Sequence, residues 1–475
     1  METSISNPHA VLISSPGLGH LIPVLELGKL LVTHHNFEVT IFAVASQTSA
    51  AESEMIQAAM SLKPCQIIEI SPPNISHLVG PDAAVVTILA VMMRENKSAL
   101  RAAISSLTSR PNVLIFDLFG TEFFDIADDL GVAKYCFVAS NAWFLSLTVY
   151  TPLLDKLVQG EYVDQTEPFD IPGCRSVRPE EVVDPMLDRR NQQYFEYVRM
   201  GREIPLCDGI LINTWEDLQP KALAALRDDK LLGGIVKAPI YTVGPIVRTL
   251  EPTGSNREVF DWLDKQPSDS VLYVSLGSGG TLSYEQTIEL AWGLELSQQR
   301  FIWVVRPPST AKADGSYFTA GRGGDEFSSF LPEGFLNRIH EVGKLVPKWA
   351  PQVKILRHSS VGGFLSHTGW NSTMESISNG LPMIAWPLYA EQRMNATALA
   401  EELGVAVRPK IQPSERVVGR EEIMTMVRKI MVDEQGQPIR DRAKELKHTA
   451  EKAWSSEGGS SYNSLSLLAN KWKHP

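Results

Sequence analysis

VGGFLSHTGWNSTMESISNGLPMIAW, residues 361–386, carries the pattern that decides the fold. Residues 361–365 are small and apolar, the composition of a strand covered on both faces. Ser366, His367, Thr368 and Gly369 turn the chain, a helical stretch begins near Trp370, and residues 382–386 are apolar again. Strand, turn, helix, strand is the repeating unit of a parallel α/β sheet. A helix that opens directly on a strand end presents free amides and a positive dipole end, the arrangement that holds a diphosphate. Asn371 and Ser372 add side-chain donors there. One turn further on, Glu375 offers a carboxylate that can take two ribose hydroxyls.

The same alternation runs outward from this unit. Residues 271–275, 285–296 and 301–305 read as strand, helix and strand, and the turn Gly277-Ser278-Gly279-Gly280 is placed to approach the same phosphates. Neither turn has the Gly-x-Gly-x-x-Gly fingerprint or a Walker lysine, which disfavours a nicotinamide cofactor. Upstream, residues 9–14, 38–44, 66–70, 113–116, 209–213 and 239–243 read as strands, with a helical stretch over 21–32. The texture changes at Gly244-Pro245. The organisation expected is a first domain over 1–244, a linker over 245–268, a second domain over 269–455, and a last helix within 456–475 that packs back on the first domain. Residues 307–330, rich in Gly, Ser and Asp, read as a long mobile loop. The fold class expected is α/β, two Rossmann-like domains facing one another.

Composition bounds the partners. The chain of 475 residues is too long for one ordinary core. Its formal net charge of −11 argues against nucleic acid and against an anionic membrane surface. Cys65, Cys136, Cys174 and Cys207 form no Cys-x-x-Cys pair, so neither zinc nor a dithiol site is suggested, and the usage fits a reducing compartment. Met1 to His9 lacks the basic start and apolar run of a signal peptide, so a cytoplasmic location is expected. Residues 136–154 carry no charge over a near-membrane length, but Asn141, several hydroxyls and Pro152 make them a buried strand–loop–helix passage.

Ligands of open α/β sheets bind outside the carboxyl ends of the strands. That rule selects His20, just past the Ser15–Gly19 turn after the first strand, and Asp117, at the end of the strand 113–116. On a shared sheet edge they become neighbours. An Asp beside an imidazole fixes its tautomer and stabilises its cationic form, which suits a general base acting on a hydroxyl.

Residues 349–392, WAPQVKILRHSSVGGFLSHTGWNSTMESISNGLPMIAWPLYAEQ, resemble the signature box of the plant UDP-sugar-dependent glycosyltransferases of secondary metabolism, and the likeness extends over the whole chain. The resemblance implies the two-domain glycosyltransferase fold of type B, UDP-glucose as co-substrate and no metal. Under it Trp349 stacks on uracil, with Gln352 and the Ala350 backbone reading its edge. Glu375 holds the ribose, and His367, Asn371 and Ser372 with Ser278 bind the diphosphate. Trp370, Glu391 and Gln392 hold the sugar, and the terminal Gln392 favours glucose. It further implies an inverting transfer with His20 as base and Asp117 steadying it. Thr368 departs from the box, which usually has Cys there. FDLFGT (116–121), YVSLGSGGTLS (273–283) and AWPLYAEQRMNA (385–396) resemble the branch that glucosylates phenylpropanoids, monolignols, coumarins and simple phenols such as hydroquinone. Phe119, Trp143, Tyr317, Tyr389 and Ala390 are the acceptor-pocket candidates, and a monomer is expected. The rival readings are a non-catalytic UDP-sugar sensor, which needs neither His20 nor Asp117, and a nucleotide-sugar epimerase of similar fold.

Overall fold

The computed structural model describes residues 7–46, 49–62, 64–249, 257–309 and 329–473. Its first sheet has seven strands: β1 (His9–Ser14), β2 (Glu38–Val44), β3 (Gln66–Ile70), β4 (Val113–Asp117), β5 (Ala133–Val138), β6 (Gly209–Ile212) and β7 (Ile240–Thr242). The second has six: β8 (Val271–Ser275), β9 (Arg300–Val305), β10 (Gly343–Pro347), β11 (Val361–Ser366), β12 (Met383–Ala385) and β13 (Ala406–Val407). The spatial orders are β3-β2-β1-β4-β5-β6-β7 and β10-β9-β8-β11-β12-β13, and neighbouring strands pair in parallel. This is the α/β architecture expected, with two parallel sheets. β1, β4, β8 and β11 are buried along their whole length, which is why they read as apolar runs without alternation.

Each sheet has one place where the strand order reverses. In the first, β1 lies between β2 and β4, with Ile13 opposite Phe116. In the second, β8 lies between β9 and β11, with Ser275 opposite Ser366. Helices leaving two adjacent strand ends in opposite directions open a crevice there. The loops after β1 and β4 line one wall of a single cleft, and those after β8 and β11 line the facing wall.

The uncharged stretch 136–154 is β5 followed by the helix Ala142–Leu157, whose N-cap Asn141 accepts the Phe144 amide at 2.9 Å. No helix of the described residues is long and apolar enough to cross a membrane. The last helix, Ser460–Lys473, buries Leu465, Leu468 and Trp472 in the core of the first sheet, with the Trp472 ring edge-on to Tyr135 at 5.1 Å. The sequence reading missed β10, whose lysine and proline dilute its apolar pattern, and β13, which has only two residues.

Candidate active site

On the first wall, the turn after β1 reaches Gly17 at φ 104°, a conformation that favours glycine. The buried Glu52 carboxylate holds this turn, accepting the Gly17 amide at 2.6 Å and the Ser46 amide at 3.0 Å. The helix Leu18–His35 then begins, and its first turn delivers His20 to the cleft. Asp117 ends β4 with its side chain fully buried. Its Oδ2 accepts the Ser15 amide at 2.9 Å and the Ser15 hydroxyl, and its Oδ1 accepts the Phe119 amide at 3.1 Å. The His20 Nδ1 lies 3.4 Å from that Oδ2 and makes no hydrogen bond in this conformation. The ring packs edge-on against Phe119 at 5.3 Å, and with Nδ1 turned to the aspartate, Nε2 remains for the cleft.

On the facing wall, the His367 imidazole is wedged between Gly277 (φ 75°) and Gly369, and a Cβ on either glycine would collide with the ring. Burial, reinforced by the Arg306 guanidinium, pushes the His367 pKa down to about 3. The ring is therefore neutral at working pH, and its Nδ1 has no hydrogen-bond partner. The helix Trp370–Asn379 opens beside it with no side chain capping its N-terminus, which leaves its first amides for an anion. Asn371 Nδ2 donates across the cleft to the Gly19 carbonyl at 3.0 Å, which ties this cradle to the turn carrying His20.

The other polar groups of this wall are equally held. Gln352 donates to Ser372 Oγ at 2.9 Å and to Glu375 at 2.6 Å, leaving its amide oxygen unspent. Gln392 accepts the Leu388 and Tyr389 amides at 2.9 and 3.1 Å, which fixes its orientation and leaves its NH₂ to donate. Burial raises the Glu391 carboxyl above its ordinary range. Ala390 takes φ 57°, pinned from the first wall by Asp184, whose Oδ2 accepts the Ala390 amide at 2.7 Å.

Comparison with known proteins fits this geometry. Residues 243–436 match the family described as UDP-glucoronosyl and UDP-glucosyl transferase. Anthocyanidin 3-O-glucosyltransferase 5 of Manihot esculenta is 62% identical over 468 residues, covering 98% of this chain and 96% of that protein. The chain belongs to this family.

Hydroquinone glucosyltransferase of Rauvolfia serpentina is 41% identical, with 98% of each chain covered. UGT2 of Phytolacca americana, solved with UDP-2fluoro-glucose and pterostilbene, superposes with a TM-score of 0.87 at 38% identity, covering 98% of this chain and 100% of that one. The chain is thus a UDP-glucosyltransferase with the two-domain glycosyltransferase fold.

Of the residues that the sequence selects in this glucosyltransferase, His20, Phe119, Ser278, Trp349, Ala350, Gln352, His367, Trp370, Asn371, Ser372, Glu375, Tyr389, Ala390, Glu391 and Gln392 all line the cleft. Asp117 stands behind His20. Trp143 does not line it. Helix register turns this side chain into the core, 1% exposed, and brings its neighbour Phe144 to the cleft instead. Tyr317 lies outside the described residues. Trp370 lines the cleft, but its indole N–H donates to the Asn213 carbonyl at 2.7 Å, so only its backbone amide is left for a ligand. Thr368, the departure from the box, sits at φ 63° and donates its hydroxyl to the Gln392 carbonyl at 3.0 Å, joining the turn after β11 to the segment that carries Gln392.

Sequence reasoning missed several cleft residues with chemistry, Arg306, Asp184 and Arg248 among them. Arg306 follows β9 at the same sheet edge and donates to the Gly280 and Lys348 carbonyls at 3.1 and 3.4 Å, so the strand-end rule applied to β9 finds it. Asp184 opens a one-turn 3-10 helix and Arg248 lies in an irregular segment, and neither carries such a signal.

Proposed function

We propose that this enzyme transfers glucose from UDP-glucose to a hydroxyl of a small phenolic acceptor, with inversion at the anomeric carbon. The observation that supports this most is the position of His20. It stands at one switch point, 3.4 Å from a buried carboxylate, opposite the uncapped helix and the His367 cradle at the other.

In this mechanism Nε2 of His20 takes the acceptor's hydroxyl proton and Asp117 stabilises the imidazolium. The acceptor oxygen bonds to the anomeric carbon as the bond from that carbon to the diphosphate breaks. The amides of Trp370, Asn371 and Ser372, with Ser278 and neutral His367, receive the charge that develops on UDP. Trp349, Ala350 and Gln352 hold the uracil, Glu375 the ribose, and Glu391 and Gln392 the sugar. Diphosphate is a good leaving group in this cradle, so no step calls on a metal.

A phenolic acceptor is supported by the apolar wall around His20, built from Ile22, Val86, Leu89, Phe119, Phe144 and Met200. It is supported as well by the relatives' names, which specify an anthocyanidin and hydroquinone, and by the pterostilbene in the Phytolacca complex. Phenylpropanoids, monolignols and coumarins belong to the same chemical class. The reading includes a monomer, since one chain supplies both walls, and a cytoplasmic site of action, in keeping with four free cysteines. It also keeps residues 245–268 as the linker between the domains.

The test is a product assay. Protein, UDP-glucose and a panel of phenols, coumarins, monolignols and flavonoids are incubated, with His20→Ala in parallel, and products are read by mass. A hexose adduct that vanishes in the variant is the expected result. No adduct from protein shown to bind UDP would overturn the reading.

A further inference from the structure

We infer that Arg248, delivered by the segment that joins the two sheets, is a positioning residue of the uridine subsite, bracing Trp349 and orienting Glu375 for the ribose. This rests on the assignment of Trp349 and Glu375 to the nucleoside made above.

Three observations carry it. The Arg248 side chain is 4% exposed, and its Nε lies 3.6 Å from Oε1 of Glu375, which is equally buried. The guanidinium carbon lies 5.4 Å from the centre of the Trp349 ring, over its face. The Nε–H is itself buried without a hydrogen-bond partner, although the residue lines the cleft. A buried N–H without a hydrogen bond is costly, and its charged partner here is the Glu375 carboxylate, which a small adjustment on ribose binding would bring within hydrogen-bond reach.

The backbone around Arg248 is fixed on the first wall. Ile246 donates its amide to Asn213 Oδ1 at 2.8 Å, and Thr249 donates its amide to the buried Glu26 carboxylate at 2.6 Å. From the last helix, Ser461 donates its hydroxyl to the Gly244 carbonyl, and just before that helix Trp454 donates its indole N–H to the Pro245 carbonyl at 3.0 Å. A strap held this way has little freedom, so the guanidinium it carries is pre-set.

Two consequences follow for a bound nucleoside. With a cation against one face, the indole is held flat and its other face is presented for stacking. A buried carboxylate beside a diphosphate would repel the ligand; the guanidinium offsets that charge while Gln352, on the other oxygen, fixes the carboxylate plane.

The experiment measures binding of UDP and of 2′-deoxy-UDP by calorimetry, with donor and acceptor kinetics, for the wild type, Arg248→Met, Arg248→Lys and Glu375→Gln. The expected result for Arg248→Met is a Kd for UDP raised tenfold or more and a smaller preference for UDP over the deoxy form. The acceptor KM should stay within threefold of wild type. Arg248→Lys restores the charge but not the planar contact with Trp349 and should fall between. Should Arg248→Met not fold, Arg248→Lys carries the same test with a threefold or greater loss expected. If the Arg248 variants bind both nucleotides as the wild type does while Glu375→Gln loses the ribose preference, the inference is overturned and the site reading stands. If Glu375→Gln also keeps the preference, the site reading itself fails. A parallel loss of acceptor affinity and UDP affinity would mark Arg248 as merely structural and would overturn the inference too.

Discussion

The two walls of the cleft are built by different means. The wall after β8 and β11 draws most of its groups from one contiguous run, 349–392, and sets side chains such as Gln352, Glu375 and Gln392 on a backbone framework of uncapped amides, turns at positive φ, and a histidine wedged between glycines. The wall after β1 and β4 is assembled from side chains of several separate segments, among them Ile22, Val86, Phe119, Phe144, Val183 and Met200. A constant ligand such as a nucleoside diphosphate can be met by fixed backbone geometry, and that geometry imposes residue types at set spacings. A variable acceptor needs only a shaped apolar surface, which many side-chain combinations provide.

The comparison breaks most directly at His20. His20→Ala should lower kcat by roughly 10²–10⁴-fold while UDP affinity stays within a factor of three. A matching loss of UDP affinity would show that the walls do not act separately. The next test contrasts neighbours on one helix. Trp143→Ala empties a core position and should cost about 3–5 kcal/mol of stability with unaltered acceptor preference. Phe144→Ala should change acceptor KM and selectivity with a smaller loss of stability; denaturant midpoints and acceptor panels read both.

Gly277→Ala sharpens the backbone side of the contrast. Its Cβ would meet the His367 ring in a left-handed conformation, so stability should fall by about 1–3 kcal/mol and KM for UDP-glucose should rise at least tenfold. His367 also predicts an acid effect. Its folded pKa, about 3, is below the unfolded value near 6.5, so the unfolded chain binds the extra proton between those limits. The stability that His367 contributes is complete above about pH 6.5 and is lost toward pH 3, at up to ~1.4 kcal/mol per pH unit. His367→Gln should flatten that limb of a pH–stability curve. The smallest effect belongs to Thr368→Cys. The lost hydroxyl bond to Gln392 and the relief of a branched residue at positive φ oppose each other, so stability should shift by less than about 1 kcal/mol.

How much could be read beforehand follows the same division. Strand ends and glycine turns located His20, Asp117, Ser278, His367 and the uncapped helix, because local sequence dictates where a strand stops and a helix begins. Side-chain direction was less legible. Trp143 and Phe144 are adjacent and both aromatic, and only the register set by the Asn141 cap decides which one faces the cleft. Trp370 lines the cleft, yet its indole N–H is spent on Asn213, a contact between distant segments that no local pattern contains. Glu52, Asp184 and Arg248 act from other elements in the same way.

The last helix sets an order of events in biosynthesis. Leu465, Leu468, Ala469 and Trp472 complete a core whose other fully buried members all precede the second sheet in the chain. While the ribosome is still working through that second sheet, the first one carries an uncovered apolar face. The growing chain must keep that face from sticking until its final turn of helix emerges and docks. A protein shortened by this one helix should show its defect as aggregation during expression, well before any assay of glucose transfer could register it.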